Sequence, residues 1–275
     1  MNTVILIPAR YQSSRYPGKP LVELKGASGE PKPLIHRSVE AARRVSGVSG
    51  VFVVTDDARI AEGCAPAKVG VIMTSPECRN GTERCAEALA QLHDPDLVIN
   101  FQGDALLTPP YFVEALIERM KNGDVDVATP AMRLRSSEVR ALQAEEAAGR
   151  VGGTTVVTDN SGRALYFSKR LIPHLPAGSL ETELSPVRLH VGVYAYRPAA
   201  LAAYAATPPS EIEELEGLEQ LRFLASGIPV AVVDVETPPF AIRELNNPED
   251  VAPIEDALAE AGLECAWTRL SESIA

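Results

Sequence analysis

Short unbroken apolar runs alternate with stretches of helical period through the first half of the chain, and this alternation restricts the possible folds more than any other feature. Residues 4–8, 51–55, 69–73 and 96–101 read as strands, and residues 34–45, 57–64 and 82–92 between them read as helices. Strands joined through helices pair in parallel. Runs that are apolar throughout, rather than at every second position, suit a sheet covered on both faces. The expectation is an α/β chain with an open, mostly parallel sheet and helices on both faces. At 275 residues the chain can bury roughly three quarters of its unfolded surface, so it needs no covalent staples.

Beyond Pro110 a helix is expected to about residue 121 and a strand over 125–134. The texture then changes at the Glu/Ala-rich segment 136–148, where a β-rich part is expected to begin. Residues 156–168 read as a hairpin turning at Asn160-Ser161-Gly162, and 189–196 as a single strand. A helix over 211–225, a strand over 229–235 and a closing helix over 248–261 complete the reading. The organisation expected is one domain over 1–275: a nucleotide-binding part (1–134), a smaller β-rich insertion (135–200) and a return to the main sheet (201–275).

A net charge of −11 disfavours broad binding to nucleic acid or to an anionic membrane. The longest apolar runs are strand-sized, far short of the roughly 20 residues of a membrane span. Met1-Asn2 leads directly into an apolar run without a signal-like basic region, so a cytoplasmic protein is expected. Cys64, Cys78, Cys85 and Cys265 show no metal or redox spacing and are read as buried or idle thiols.

Against this acidic background, the segment Pro8-Ala9-Arg10-Tyr11-Gln12-Ser13-Ser14-Arg15-Tyr16-Pro17-Gly18-Lys19 holds three cations and no carboxylate. It leaves the first strand at its carboxyl end, where open parallel sheets bind ligands. Forked Arg10 and Arg15, mobile Lys19 and small Ser13, Ser14 and Gly18 match the needs of a polyphosphate. The alternative is a solvated basic loop with a turn at Pro17-Gly18. Pro20 after Lys19 excludes the phosphate loop of nucleoside triphosphatases, and no Gly-x-Gly-x-x-Gly follows the first strand to support a dehydrogenase. Asp104, in Gln102-Gly103-Asp104 at the end of an apolar strand, is placed to bind a hard cation; its other reading is a turn or cap residue ahead of Pro109-Pro110.

That loop, with Gly81-Thr82-Glu83-Arg84, Asn100-Phe101-Gln102-Gly103-Asp104, Ala164-Leu165-Tyr166-Phe167-Ser168, His190-Val191-Gly192-Val193-Tyr194 and Leu218-Glu219-Gln220-Leu221-Arg222, resembles the 3-deoxy-manno-octulosonate (Kdo) cytidylyltransferases. The resemblance implies a Rossmann-like α/β fold of the nucleotide-diphospho-sugar transferase type. It also implies a Mg2+-dependent homodimer that joins CTP to a sugar acid, releasing pyrophosphate, in lipopolysaccharide biosynthesis. By it, Pro8, Ala9, Arg10, Ser14, Arg15, Lys19, Gly81, Thr82 and Arg84 hold the nucleotide, with Arg10, Arg15, Lys19 and Asp104 catalytic. Gln102, His190, Tyr194, Glu219 and Gln220 meet the small acidic acceptor, and Asp104 and Asn246 bind magnesium. Read singly, His190 is a core histidine, and Glu219-Gln220 a solvated helix face.

The chain departs from the family pattern at several points. Ala105-Leu106 stands for Glu-Pro, Leu189 for an arginine, Asn80 for a frequent serine and Asn246 for the second metal-binding aspartate. Asn246 offers a carbonyl without charge and so a weaker cation ligand; the segment also reads simply as a turn capping a helix. These departures leave room for another acceptor, an amino-substituted or shorter sugar acid or a phosphonate, and for a nucleotide-binding module without turnover.

Overall fold

The structure, a computed structural model, describes residues 1–13, 15–240 and 242–265. The chain divides into two compact units: Met1–Glu114 together with the chain from Pro238 onward, and Ala115–Thr237.

The first unit opens with β1 (Thr3–Pro8), buried at every position as its unbroken apolar run requires. A short hairpin of β2 (Glu23–Lys25) and β3 (Pro31–Pro33), not expected from the sequence, precedes α1 (Leu34–Ala42). There follow β4 (Gly50–Thr55), α2 (Ala58–Gly63), β5 (Gly70–Met73), α3 (Gly81–Ala88), β6 (Leu97–Phe101) and α4 (Pro110–Met120), whose last turns belong to the second unit. The four long strands stand in the order β5-β4-β1-β6, all parallel, with Pro8 level with Val54 and Leu6 with Asn100. Helices α1 and α3 pack on β1 and β4. Chain progression runs outward from β1 in one direction through β4 and β5 and reverses to β6, so the crevice beyond the carboxyl ends of β1 and β6 is a topological switch point. The loops beginning at Ala9 and Gln102 both open there.

The second unit comprises β7 (Val127–Arg135), α5 (Ser136–Ala147), β8 (Thr155–Thr158), β9 (Ala164–Ser168), β10 (Leu184–His190), β11 (Val193–Tyr196), α6 (Pro198–Ala206), α7 (Glu211–Glu216), α8 (Leu221–Ala225) and β12 (Val230–Val235). Its long strand β7 pairs antiparallel with β11 near Val127 and with β10 toward Arg135, and parallel with β12. The β8–β9 hairpin is held at its turn by Asp159, whose carboxylate accepts from the backbone N–H of Ser161 and Arg163.

Four elements differ from the reading of the sequence. The segment 136–148, given no element from the sequence, forms α5 ahead of strands β8 to β11: its Glu, Ala, Gln, Leu and Arg are strong helix formers, and the Glu138 carboxylate caps the Arg135 N–H at 2.6 Å. Helix α6 was missed because its run of alanines shows no periodic contrast. The single strand over 189–196 is two, broken where Val193 N–H donates to Val191 O at 2.7 Å in a three-residue turn. The single helix over 211–225 is also two. Ser210 and Glu213 form a capping box at the start of α7, and Gly217, at φ +59°, ends it in a left-handed conformation that side-chain-bearing residues disfavour.

The first unit resumes with a 3-10 turn at Pro248–Asp250 leading into α9 (Val251–Glu260). Leu245, Ile254 and Leu258 join Leu24, Leu34, Leu106 and Leu107 in one fully buried cluster. Each such side chain contributes roughly 1.5–3 kcal/mol on leaving water.

Candidate active site

The chain leaving β1 stays tied to the sheet for one more residue, Ala9 N–H donating to Val54 O at 2.9 Å, with Pro8 and Ala9 buried. It then closes on itself, Gly18 N–H donating to Tyr11 O at 2.8 Å. Gly18 adopts φ +73°, and a Cβ there would stand 3.2 Å from the Tyr11 ring. The same ring carries the Arg59 guanidinium, 3.3 Å from its centroid and itself fixed by Asp57 at 2.9 and 2.6 Å. The loop is therefore held at both ends and clamped in the middle, while Arg10 and Arg15 remain exposed. Ser14 lies outside the described residues.

Lys19 starts a short 3-10 turn, and its Nζ pairs with the Asp104 carboxylate, each side chain keeping 18% of its surface. Arg15 Nη2 donates to Asn246 Oδ1 at 2.8 Å. Thus Arg15, Lys19, Asp104 and Asn246 are brought together. A fifth group, Glu244, was missed by the sequence reading. Its side chain reaches solvent yet stands in crowded surroundings; burial first and the Asp104 charge second raise its pKa to about 7, against the opposing pull of Lys19, an Asn246 hydrogen bond and Arg15. The available signal was alternation, because buried Leu245 separates Glu244 from Asn246 and leaves both on the side away from the core.

Beside this cluster, Asn80 caps α3 by accepting from Glu83 N–H at 2.8 Å, so the helix begins at Gly81. Thr82 and Arg84 are buried; Arg84 reaches Thr74 Oγ1 at 2.6 Å and Asp56 at 3.2 Å, which makes it a rigid support. Gln102, half-buried, donates through Nε2 to Asn100 Oδ1 at 3.3 Å, and the buried Asn100 Nδ2 is left without a hydrogen-bond partner.

The remaining singled-out residues belong to the second unit. His190 shares a 2.9 Å hydrogen bond with Thr129 Oγ1 and packs against Phe167 and Tyr194; burial lowers its pKa to about 3, so it is neutral at physiological pH. The buried Tyr194 hydroxyl donates to Gln220 Oε1 at 3.1 Å, leaving Gln220 Nε2 buried with no hydrogen-bond partner. Glu219 and Gln220 sit in the turn between α7 and α8 rather than on a solvated helix face. The four cysteines are free thiols, and burial pushes Cys64 up to about 11 and Cys78, with help from Glu87, to about 12.

Chemically, the first-unit cluster can neutralise a polyanion on one side and offer carboxylate oxygen on the other. The chain is similar to known proteins along most of its length. The cytidylyltransferase family model matches residues 4–234. The 3-deoxy-manno-octulosonate cytidylyltransferase of Maricaulis maris is 39% identical over 264 residues, 95% of this chain and 99% of its own length. The 8-amino-3,8-dideoxy-manno-octulosonate cytidylyltransferase of Shewanella baltica is 38% identical over 263 residues, 94% of this chain and 99% of its own. A solved structure of CMP:2-keto-3-deoxy-manno-octonic acid synthetase complexed with CTP superposes with a TM-score of 0.80 at 33% identity, covering 95% of this chain and 100% of that one.

Proposed function

The chain belongs to the cytidylyltransferase family, and we propose that it joins CMP, taken from CTP, to 3-deoxy-manno-octulosonate or a close analogue with release of pyrophosphate. The observation that carries this reading is the clamped, carboxylate-free loop after β1, which aims Lys19 at Asp104 and Arg15 at Asn246 beyond a topological switch point.

In this reading Arg10, Arg15 and Lys19 hold the triphosphate, and Pro8, Ala9, Gly81 and Thr82 frame the nucleoside, with Arg84 bracing α3 from below. An acceptor oxygen, the anomeric hydroxyl in Kdo, attacks the α-phosphorus; the new O–P bond forms as the bond to pyrophosphate breaks, and the hydroxyl proton passes to water. No covalent nucleophile is required of the protein. Its part is to align the two anions and to neutralise charge spread over the phosphate oxygens. Lys19, paired with Asp104 in the free protein, moves that charge onto phosphate when CTP arrives.

A divalent cation, Mg2+ in this proposal, suits the donor set. Among the described residues no three His, Cys, Asp or Glu side chains converge into a cage, whereas Mg2+ takes one or two carboxylates and completes its shell with phosphate oxygens and waters. Asp104, solvent-accessible and hard, supplies such a ligand, and the bound ion would withdraw charge from the phosphates. Gln102, His190, Tyr194, Glu219 and Gln220 are proposed to receive the acceptor.

The proposal includes a cytoplasmic homodimer. The free thiols suit a reducing compartment, and no helix among the described residues is long and apolar enough to cross a membrane.

The test is pyrophosphate release with each of the four nucleoside triphosphates and Mg2+, against Kdo, its 8-amino analogue and a small phosphonate. Release with CTP and an octulosonate alone is expected. CTP binding without release from any acid would replace the enzyme by a nucleotide-binding module.

A further inference from the structure

We propose that Glu244, rather than Asn246, is the second protein ligand of the divalent cation beside Asp104, and that Asn246 is a positioning residue that holds Glu244 and Arg15 in place. This rests on the reading of the site as one for CTP with its cation.

Asn246 is occupied at both ends of its amide. Its Oδ1 accepts from the Arg15 guanidinium at 2.8 Å, and its side chain donates to the Glu244 carboxylate. A cation on that Oδ1 would put two positive groups on one uncharged oxygen. The backbone beneath is equally committed: the Asp250 carboxylate accepts from Asn246 N–H at 2.9 Å and from Asn247 N–H at 2.7 Å, fixing the entry to α9. The amide thus forms a rigid bridge between a cation and an anion.

Glu244 has the complementary properties. It offers carboxyl oxygens and reaches solvent, and the charged groups acting on it are Asp104, Lys19 and Arg15. The two carboxylates share one foundation. Leu245 follows Glu244, Leu106 and Leu107 follow Asp104 by two and three residues, and all three leucines are fully buried in the same cluster. Packed leucines in a close-packed core give little ground, so the segments that carry Asp104 and Glu244 are anchored to one core.

Without nucleotide, Lys19 and Arg15 balance the charge of the two carboxylates. A triphosphate competes for the same two cations and draws them toward its oxygens. Asp104 and Glu244 are then two like charges lacking their former partners, an unfavourable arrangement that one divalent ion relieves. Two carboxylates, phosphate oxygens and waters form a shell of the kind Mg2+ accepts.

The test uses Mn2+ as the probe ion and α,β-methylene-CTP, which cannot release pyrophosphate, with free Mn2+ read by electron paramagnetic resonance. Glu244→Gln keeps the shape of an exposed side chain and should fold. It should weaken Mn2+ binding in the ternary complex about tenfold or more, within the range seen when support around a metal is lost. Binding of the analogue without metal should hold steady or tighten, because a negative charge has left a site for polyanions. Asn246→Ala should weaken Mn2+ less than Glu244→Gln does. Mn2+ affinity within about twofold of wild type in Glu244→Gln, or a larger loss in Asn246→Ala, overturns the inference while leaving the CTP reading intact. A wild-type protein that binds no analogue at all defeats the CTP reading, and this inference with it.

Discussion

In the loop that follows β1, Arg10 and Arg15 stand exposed and Lys19 keeps part of its surface in solvent, all on a backbone clamped by Tyr11, Gly18 and Arg59. Around His190, in the second unit, the polar groups turn inward: His190 to Thr129, Tyr194 to Gln220, and the buried pair Arg222–Glu213 beneath the Tyr204 ring. The first region spends backbone contacts on rigidity and keeps its charges available. The second spends its side-chain hydrogen bonds on packing. Substitutions in the first should therefore alter turnover with little effect on stability, and those in the second should alter stability first.

The largest effect that tests this contrast comes from Glu213→Gln, which leaves the Arg222 guanidinium buried and short of its counter-charge. A loss of about 3–5 kcal/mol is expected in urea unfolding, and an unchanged midpoint would contradict the account of the second unit. Next comes Lys19→Ala, expected to lower kcat by about 10²–10³ at saturating CTP, the scale of one lost transition-state charge donor, with the melting temperature nearly unmoved. A large stability loss there, or full turnover, would erase the distinction between the regions.

Acid stability sharpens the comparison further. An unfolded histidine takes up a proton near its ordinary pKa of 6.5, whereas His190 resists protonation until about 3. Its contribution is intact above pH 6.5 and declines as pH falls from 6.5 toward 3, by up to about 1.4 kcal/mol per pH unit. His190→Gln should flatten the dependence of unfolding free energy on pH across that window. Tyr194→Phe removes the donor to Gln220 Oε1 and should cost about 1–2 kcal/mol, measured by the same unfolding. The smallest effect belongs to Arg59→Ala: loss of the cation–π clamp on Tyr11, worth about 0.5–1 kcal/mol, should raise the KM for CTP roughly two- to fivefold and leave kcat alone.

What the sequence disclosed, and what it hid, follows the same division. Strands β1 and β6 were legible because every position is buried, and β4 and β5 because their residues still form apolar runs. The basic loop was legible because it interrupts an acidic chain. Helix α5 was misread because its helix-forming residues were taken as a change of texture, and the break at Gly217 because the hydrophobic pattern continues across it. Glu244 escaped notice for a different reason. Its role depends on Leu245 being anchored in the same cluster as Leu106 and Leu107, a relation between segments far apart in sequence. In the same way, nothing local marks Asp56 and Thr74 as the partners that immobilise Arg84.

The most direct measurement is a crystal structure with CTP and Mg2+ bound. The account predicts triphosphate oxygens within hydrogen-bonding distance, about 3 Å, of both Arg15 and Lys19, with the nucleoside against Gly81. A nucleotide seated elsewhere, or Arg15 and Lys19 directed into solvent while CTP is bound, would contradict it.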